Sequence, residues 1–495
     1  MKRGIRLIFT LILLAATAGC MRFGPDFRGP ELGFSVPAAY QNDSAAPLSA
    51  VPEWACFWWK TFQDPSIDDL VENTLAGNPD IQKSAAVILE QKARLIQTRS
   101  SRFPALNLGG EAARNQATLS SATAAMSPTG ELVFNPASTR TTTNSYVLSL
   151  PATFELDLWG RLSRAGEAAR ADLLAAEENR RTVIQSILAE VVSLYLEMES
   201  LERRIALNAQ RIANLEMGLN LVEKRYRAGL TGALEVRQAR RTLSQAISLQ
   251  PSLYQALGTS QTRLAVLTGD YPEIQSPRVQ PEDYYRRLEP IPVGLPSELL
   301  LRRPDIRAAE AALIAQNARI GEAKALRFPS ITLTGTFGYS SRELDNLVSP
   351  ASELWEIAAG IFQPVFDAGK RKAGQEIAEA RYLQGATDYA KTVLNAFAEI
   401  ENALMTRKQQ IERRESLIAF LTEARATQEM AQLRYERGLV DYLTVLDAIL
   451  ARFQAEEDLI QSDLALMQNR VTLCRALGGG WPDFKQENEA LALYE

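Results

Sequence analysis

The sequence predicts a mixed α and β membrane protein, internally duplicated, whose sheet closes only when several chains associate. Three observations carry this. Asn78-Pro79-Asp80-Ile81 runs on to Phe103-Pro104, and Arg303-Pro304-Asp305-Ile306 runs on to Phe328-Pro329 at the same internal spacing. Arg225-Tyr226-x-x-Gly229-Leu230 is answered by Arg434-Tyr435-x-x-Gly438-Leu439, so one helix–strand–strand–helix unit recurs almost as a half-chain. Between these landmarks lie long apolar seams of helical period and a few stretches of strict two-residue alternation.

The chain opens on Lys2, Arg3 and Arg6, followed by an apolar run from Leu7 to Ala16 that is too short to span a bilayer. Thr17-Ala18-Gly19-Cys20 then sets a cysteine after small residues, the pattern of a bacterial lipobox in which Cys20 is acylated (palmitate) and becomes the mature N-terminus. Thr17 stands where leucine is usual, and an ordinary cleavage site is the alternative. Met21 is not Asp, so nothing marks the chain for the inner membrane. Residues 1–19 are thus expected to be a signal peptide and 20–65 a lipid-anchored N-terminal segment. The first repeat is expected over 66–269, a Pro-rich equatorial connection over 270–302, the second repeat over 303–477 and a tail over 478–495.

Apolar residues make up 46% and charged residues 23%, as in an ordinary folded chain. The net charge of −5 becomes −8 once the three signal cations are removed (−5 − 3), which leaves no basic footprint for nucleic acid. No later stretch is apolar for long enough to form a transmembrane helix, so any crossing of a membrane must be made by strands.

Strands are expected at about 105–115, 144–157, 330–341 and 353–366. In the third, Ile331, Leu333, Phe337 and Tyr339 alternate with Ser330, Thr332, Thr334, Thr336 and Ser340; in the second, Tyr146, Leu148, Leu150, Ala152, Phe154 and Leu156 alternate with Ser149, Thr153, Glu155 and Asp157. An apolar face backed by a small, polar one suits an outer-membrane barrel, although a half-exposed soluble sheet has the same period. Four strands cannot close a barrel, and open edges in lipid leave backbone groups unpaired. Three copies supply about twelve strands. Gln116–Thr143 and Arg342–Pro350 are expected as outside loops.

The helices give the second signal. From Ile184 through Ile187, Val191, Leu194, Met198, Leu201 and Ile205 to Tyr226, apolar residues step by three and four, with Asn208 the polar exception. Leu446, Leu450, Phe453, Glu457, Ile460, Leu464, Met467, Val471 and Cys474 form a second seam. A helix from Asp157 to Tyr226 would be about 100 Å long, so it needs lateral partners along its length. Gly229 and Gly438 read as turns between a long helix and a returning one. Gly478-Gly479-Gly480 is a helix stop, since no strand precedes it and no Lys-Ser or Lys-Thr follows.

Several motifs together resemble the TolC-like outer-membrane factors, and most closely their lipoprotein branch (the NodT type). These are Cys20-x-x-x-Gly24-Pro25-Asp26-Phe27, Trp58-Trp59-x-x-Phe62-x-Asp64-Pro65, the run Leu295-Pro296-Ser297 to Arg307-x-Ala309-Glu310, and Ala476-Leu477-Gly478-Gly479-Gly480-Trp481. The resemblance covers essentially the whole mature chain. It implies a homotrimer, with a twelve-stranded barrel in outer-membrane lipid that continues into a long periplasmic α-helical barrel. It further implies a passive efflux duct that opens at its periplasmic tip when a periplasmic adaptor (membrane fusion) protein and an inner-membrane efflux transporter dock.

By the same resemblance, Tyr442-Leu443-Thr444-Val445-Leu446-Asp447-Ala448 lines the aperture, with Leu443 an apolar constriction and Asp447 an acidic ring that attracts cations. The bland alternative for Asp447 is a solvated carboxylate near a helix N-terminus. Tyr226, Gly229, Leu230, Tyr435, Gly438 and Leu439 would face the adaptor. Arg452 is a candidate tether for the closed form.

Cys56 and Cys474 remain after lipidation; the seam position of Cys474 marks a small buried packer, and a bridge between the two is the open alternative. The chain has no histidine, which removes histidine triads and imidazole metal sites. No Cys-x-x-Cys or Walker pattern appears, so neither a cofactor, a metal nor an enzyme is expected. A lipid-anchored periplasmic coiled-coil scaffold is the rival reading, and a type I protein-secretion duct a variant of the main one.

Overall fold

The computed structural model describes residues 22–29, 33–37, 39–42, 53–126, 132–272, 291, 300 and 302–479, the side chains of 53–56 and 119–139 excepted. The signal segment, Cys20, most of the Pro-rich connection and the end of the tail lie outside them. The chain divides into two compact units. One comprises Met1–Gly29, Glu90–Leu173 and Ala312–Gly385, the other Pro30–Leu89, Leu174–Ala311 and Ala386–Glu495.

The first unit holds an antiparallel sheet of β1 (Ala105–Leu106), β2 (Gly109–Met126), β3 (Leu132–Leu156), β4 (Ser330–Ser341) and β5 (Glu353–Phe362), in the order β1-β3-β4-β5 with β2 also on β3. β1 and β2 keep one register against β3, with Ala105 opposite Thr153 and Gly109 opposite Ser149, so the sheet is four strands wide. Register unites the predicted apolar rows on a single face. Leu150 pairs with Phe337 and Phe337 with Trp355, while Leu156 pairs with Ile331 and Ile331 with Ile361. The reverse face carries Thr332, Thr334 and Thr336 opposite Glu155, Thr153 and Pro151. Trp355, Ile357 and Ile361 remain exposed, which water would penalise and lipid would reward.

One expectation fails here. Of Gln116–Thr143, read from sequence as a loop, residues 116–126 and 132–143 continue the ladder, with Gln116 opposite Thr142 and Met126 opposite Leu132. Alternation is absent from the sequence because most residues here are small or polar and the few large apolar ones (Leu119, Met126, Leu132, Val133 and Phe134) do not alternate, yet threonine favours the extended backbone and the ladder satisfies the peptide groups. β5, conversely, ends at Phe362 rather than 366.

Each half turns from strand to helix on the same device. Asp157 accepts the N–H groups of Leu162 and Ser163 at 2.9 and 2.7 Å, and Asp367 accepts those of Gly369 and Arg371 at 3.1 and 3.3 Å. These carboxylates satisfy orphan donors of the first turn, so α3 (Arg161–Arg227) and α6 (Lys370–Glu436) begin after them rather than at Asp157. Gly160 and Gly369 supply the left-handed backbone between cap and helix, at φ 76° and 86°. Both helices have 67 residues, about 100 Å at 1.5 Å per residue.

The N-terminal segment is fastened beside this turn. Phe23 stacks on Phe328 and Trp159 at centroid distances of 4.3 and 5.5 Å. The Arg164 side chain is only 2% exposed. It donates to the carbonyls of Phe23 and Gly24 and pairs with Asp26 and Glu167. A side chain on Gly24 would collide with the backbone of Gly321, which explains the glycine of Gly24-Pro25-Asp26.

The second unit is helical: α1 (Pro65–Gly77), α4 (Ala233–Thr268), α7 (Tyr442–Ala476), and the parts of α2 (Pro79–Ser100), α3, α5 (Pro304–Ala325) and α6 that fall within it. The predicted seam is buried from Ile184 through Val191, Met198, Ile205 and Leu215 to Val222. Asn208, the polar seam residue, donates to the Ala246 carbonyl at 3.1 Å. The duplicated junctions are again equivalent. Asn78 accepts from the N–H groups of Asp80 and Ile81 and donates to the Leu267 carbonyl at 2.7 Å. Arg303, its counterpart, holds Asp305 and Glu399 and donates to the Ala476 carbonyl at 3.0 Å. Each half thus closes its last helix onto its own first one. Cys474 is a free, buried thiol.

Candidate gate and adaptor-facing tips

The two predicted tips fold as twin turns. Leu230 donates to the Arg225 carbonyl and Leu439 to the Arg434 carbonyl, both at 2.9 Å, while Gly229 and Gly438 sit at φ 73° and 74°. Such a six-to-one bond with a left-handed glycine ends a helix and satisfies its last carbonyls. Leu230, Leu439 and Tyr226 are exposed; Tyr435 is buried. Of the six tip residues, Tyr435 therefore turns its side chain into the protomer.

What buries Tyr435 is a contact that the repeat itself does not reveal. Arg225 donates to the Tyr435 carbonyl at 2.8 Å and lies over its ring, 4.4 Å from the centroid. The Tyr435 hydroxyl reaches Glu235 at 3.5 Å, and its ring meets that of Tyr442 at 5.6 Å. Arg434, the repeat partner of Arg225, stays exposed. Sequence treats the two arginines as equals; only packing separates them. Tyr442 replaces Ala233 of the first repeat, and Gly218 makes room for its hydroxyl, since a Cβ there would lie 2.8 Å from that oxygen. Burial pushes the Tyr442 hydroxyl up to about 12, helped by Tyr435 and Glu235. Burial first, then Glu235, also raises Tyr435.

Leu443 and Asp447 lie one helical turn apart on α7 and both are exposed. The opposite face of that helix, Tyr442, Val445, Leu446 and Ile449, packs in a core with Leu215, Val222 and Ala431. The helix begins on Asp441, whose carboxylate accepts from the Thr444 N–H at 3.0 Å and hydroxyl at 2.7 Å. Those bonds, the hydroxyl's first, hold Asp441 below the usual carboxylate range. Arg452 pairs with Glu456 of its own helix at 3.5 Å and covers the Phe453 ring. Arg425 reaches the same Glu456 from α6 at 2.9 Å. Cys20 lies outside the described residues; Arg22, two positions on, rests against Gly160 at the base of β3.

A sheet with one lipid-suited face, carried by a chain of duplicated long-helix hairpins, defines an outer-membrane channel. The chain belongs to the family described as "Outer membrane efflux protein", which matches residues 70–270 and 295–479. It is 30% identical over 467 residues to the cation efflux system protein CusC of Escherichia coli, covering 94% of this chain and 97% of that protein. It is 31% identical over 480 residues to the solvent efflux pump outer membrane protein SrpC of Pseudomonas putida, covering 96% and 97%. Among solved structures it resembles the outer-membrane channel OprN, with a TM-score of 0.82 and 30% identity over 92% of this chain and 99% of that one. The open state of the Neisseria gonorrhoeae MtrE channel gives 0.79 and 28%, over 93% and 98%. The protein is thus an outer-membrane efflux channel.

Proposed function

We propose that three copies form a passive duct that receives substrate from an inner-membrane transporter through a periplasmic adaptor. The observation that carries the trimer is the sheet, which is four strands wide with a lipid-suited face. In lipid its edges must be paired, and three copies supply twelve strands. The exposed Tyr226, Leu230 and Leu439 offer apolar contacts to an adaptor, while Gly229 and Gly438 shape the turns that present them. Leu443 and Asp447, exposed on one face of α7, suit an aperture in which an apolar ring is followed by an acidic one. Arg225 acts as a latch between the tips of the two hairpins. Cys20 carries the lipid anchor. The duct performs no chemistry. Its relatives serve cations in one case and solvents in another, so we assign the choice of cargo to the transporter.

Single-channel recording in planar bilayers tests the gate. Small cation-selective currents that lose their selectivity in Asp447→Ala are expected. Unchanged selectivity would keep the duct but remove Asp447 from its aperture. Protein that needs no detergent for extraction and passes no current would leave the scaffold reading instead.

A further inference from the structure

The base of the sheet, where strands give way to helices, is basic and apolar at once. Register puts Arg102-Phe103, Arg327-Phe328 and the segment from Gln363 to Lys370 at this one end, because Ala105 pairs with Thr153, Leu156 with Ile331 and Ser330 with Phe362. The carboxylates of this end are engaged locally. Glu155 pairs with Arg161 at 2.6 Å, while Asp157 and Asp367 cap the two long helices. The cations are left over: Arg99, Arg102 and Lys370 are exposed and have no carboxylate partner among the described residues, and Arg327 meets only the neutral Gln375. Beside them Phe103, Val365 and Phe366 are 69%, 97% and 89% exposed. At the opposite end, the turn between β4 and β5 is net acidic instead, with Glu343, Asp345 and Glu353 against the single cation Arg342.

We propose that this basal rim is a binding surface for anionic phospholipid headgroups of the periplasmic leaflet. Arg99, Arg102, Arg327 and Lys370 meet the phosphates, and Phe103 and Phe366 rest at the acyl boundary. Charge complementarity selects the lipid: uncompensated cations next to a lipid-facing sheet attract an anionic surface, whereas a zwitterionic one offers no net charge. The exposed aromatic rings favour that same interface. The N-terminal segment that follows Cys20 is clamped at this same end through Phe23 and Arg164, so the rim and the acyl anchor address one leaflet. The inference rests on the outer-membrane reading and adds to it a lipid preference and the residues that set it.

The test uses the full chain in nanodiscs of equal phosphatidylglycerol and phosphatidylcholine, with lipids retained on release counted by native mass spectrometry. Arg99→Gln, Arg102→Gln, Arg327→Gln and Lys370→Gln are combined in one variant. Each cation near a charged surface contributes on the order of a fivefold factor. Wild type should therefore retain phosphatidylglycerol at least tenfold over phosphatidylcholine, and less so in high salt, while the variant retains the two about equally. Insertion of both proteins with equal retention of both lipids overturns the rim and leaves the channel intact. A variant that alters ion selectivity in bilayers without altering lipid retention also overturns it, since the cations would then line the duct. If neither protein enters nanodiscs of either composition, the membrane reading falls and the rim with it.

Discussion

Replacing Arg225 with alanine should free the two hairpin tips from one another. Its guanidinium makes one charge-assisted bond to the Tyr435 carbonyl at 2.8 Å and covers the Tyr435 ring at 4.4 Å. A hydrogen bond from a charged group contributes about 1.5–3 kcal/mol, and a partly exposed cation–π contact about 0.5–1 kcal/mol. The carbonyl would not be orphaned, because the Gly438 N–H also donates to it at 2.9 Å. The lower end, about 2 kcal/mol, is therefore appropriate and corresponds to roughly thirtyfold in an equilibrium between latched and unlatched tips. Open probability in planar bilayers at fixed potential should rise by about that factor for Arg225→Ala. Arg225→Lys, which keeps a charge but not the planar fork, should fall between. An Arg225→Ala channel that assembles normally and opens no more often than wild type would refute the latch, even if its melting temperature fell.

Other substitutions probe the scaffold. Gly338→Ala would drive a Cβ into the Leu148 carbonyl in the middle of the β3–β4 ladder, so heat-stable, membrane-inserted protein should be lost, visible as altered gel mobility. Asn78→Ala removes a helix cap and a donor to the Leu267 carbonyl together, and thermal or denaturant unfolding should show a loss of about 2 kcal/mol. Burial raises the Cys474 thiol from 9.0 and the Tyr442 hydroxyl from 10.0, each to about 12. Above pH 9 the unfolded chain releases these protons and the folded one does not, so their contribution to stability is complete below pH 9 and is lost as pH climbs towards 12. Unfolding midpoints across this range should fall in wild type and fall less in a Cys474→Ala, Tyr442→Phe variant. Maleimide should leave Cys474 unlabelled at pH 8 until the chain unfolds.

Much of this was legible in the linear chain because repeats, alternation and helical seams are local properties of sequence. The duplicated Pro-Asp-Ile junctions, the strand that begins at Ser330 and the buried run from Ile184 to Val222 are set by side-chain periodicity and backbone sterics, which act on neighbouring residues. The extension of the ladder through 116–126 and 132–143 was not legible, since mostly small and polar residues with a few unevenly spaced apolar ones carry no alternation to read. The asymmetry between equal motifs was also hidden. Arg225 and Arg434, or Tyr226 and Tyr435, are interchangeable in sequence, and only packing distinguishes them: Arg225, Glu235 and Tyr442 close over Tyr435, leaving Tyr226 and Arg434 exposed. The basic base of the sheet likewise depends on strand register, which brings together four cations from three distant segments while the carboxylates beside them are engaged locally. Sequence determined the elements and their repetition, because those follow from short-range physics. Tertiary structure decided which copy of each motif latches, packs or faces outward, because burial and charge pairing depend on neighbours that are remote along the chain.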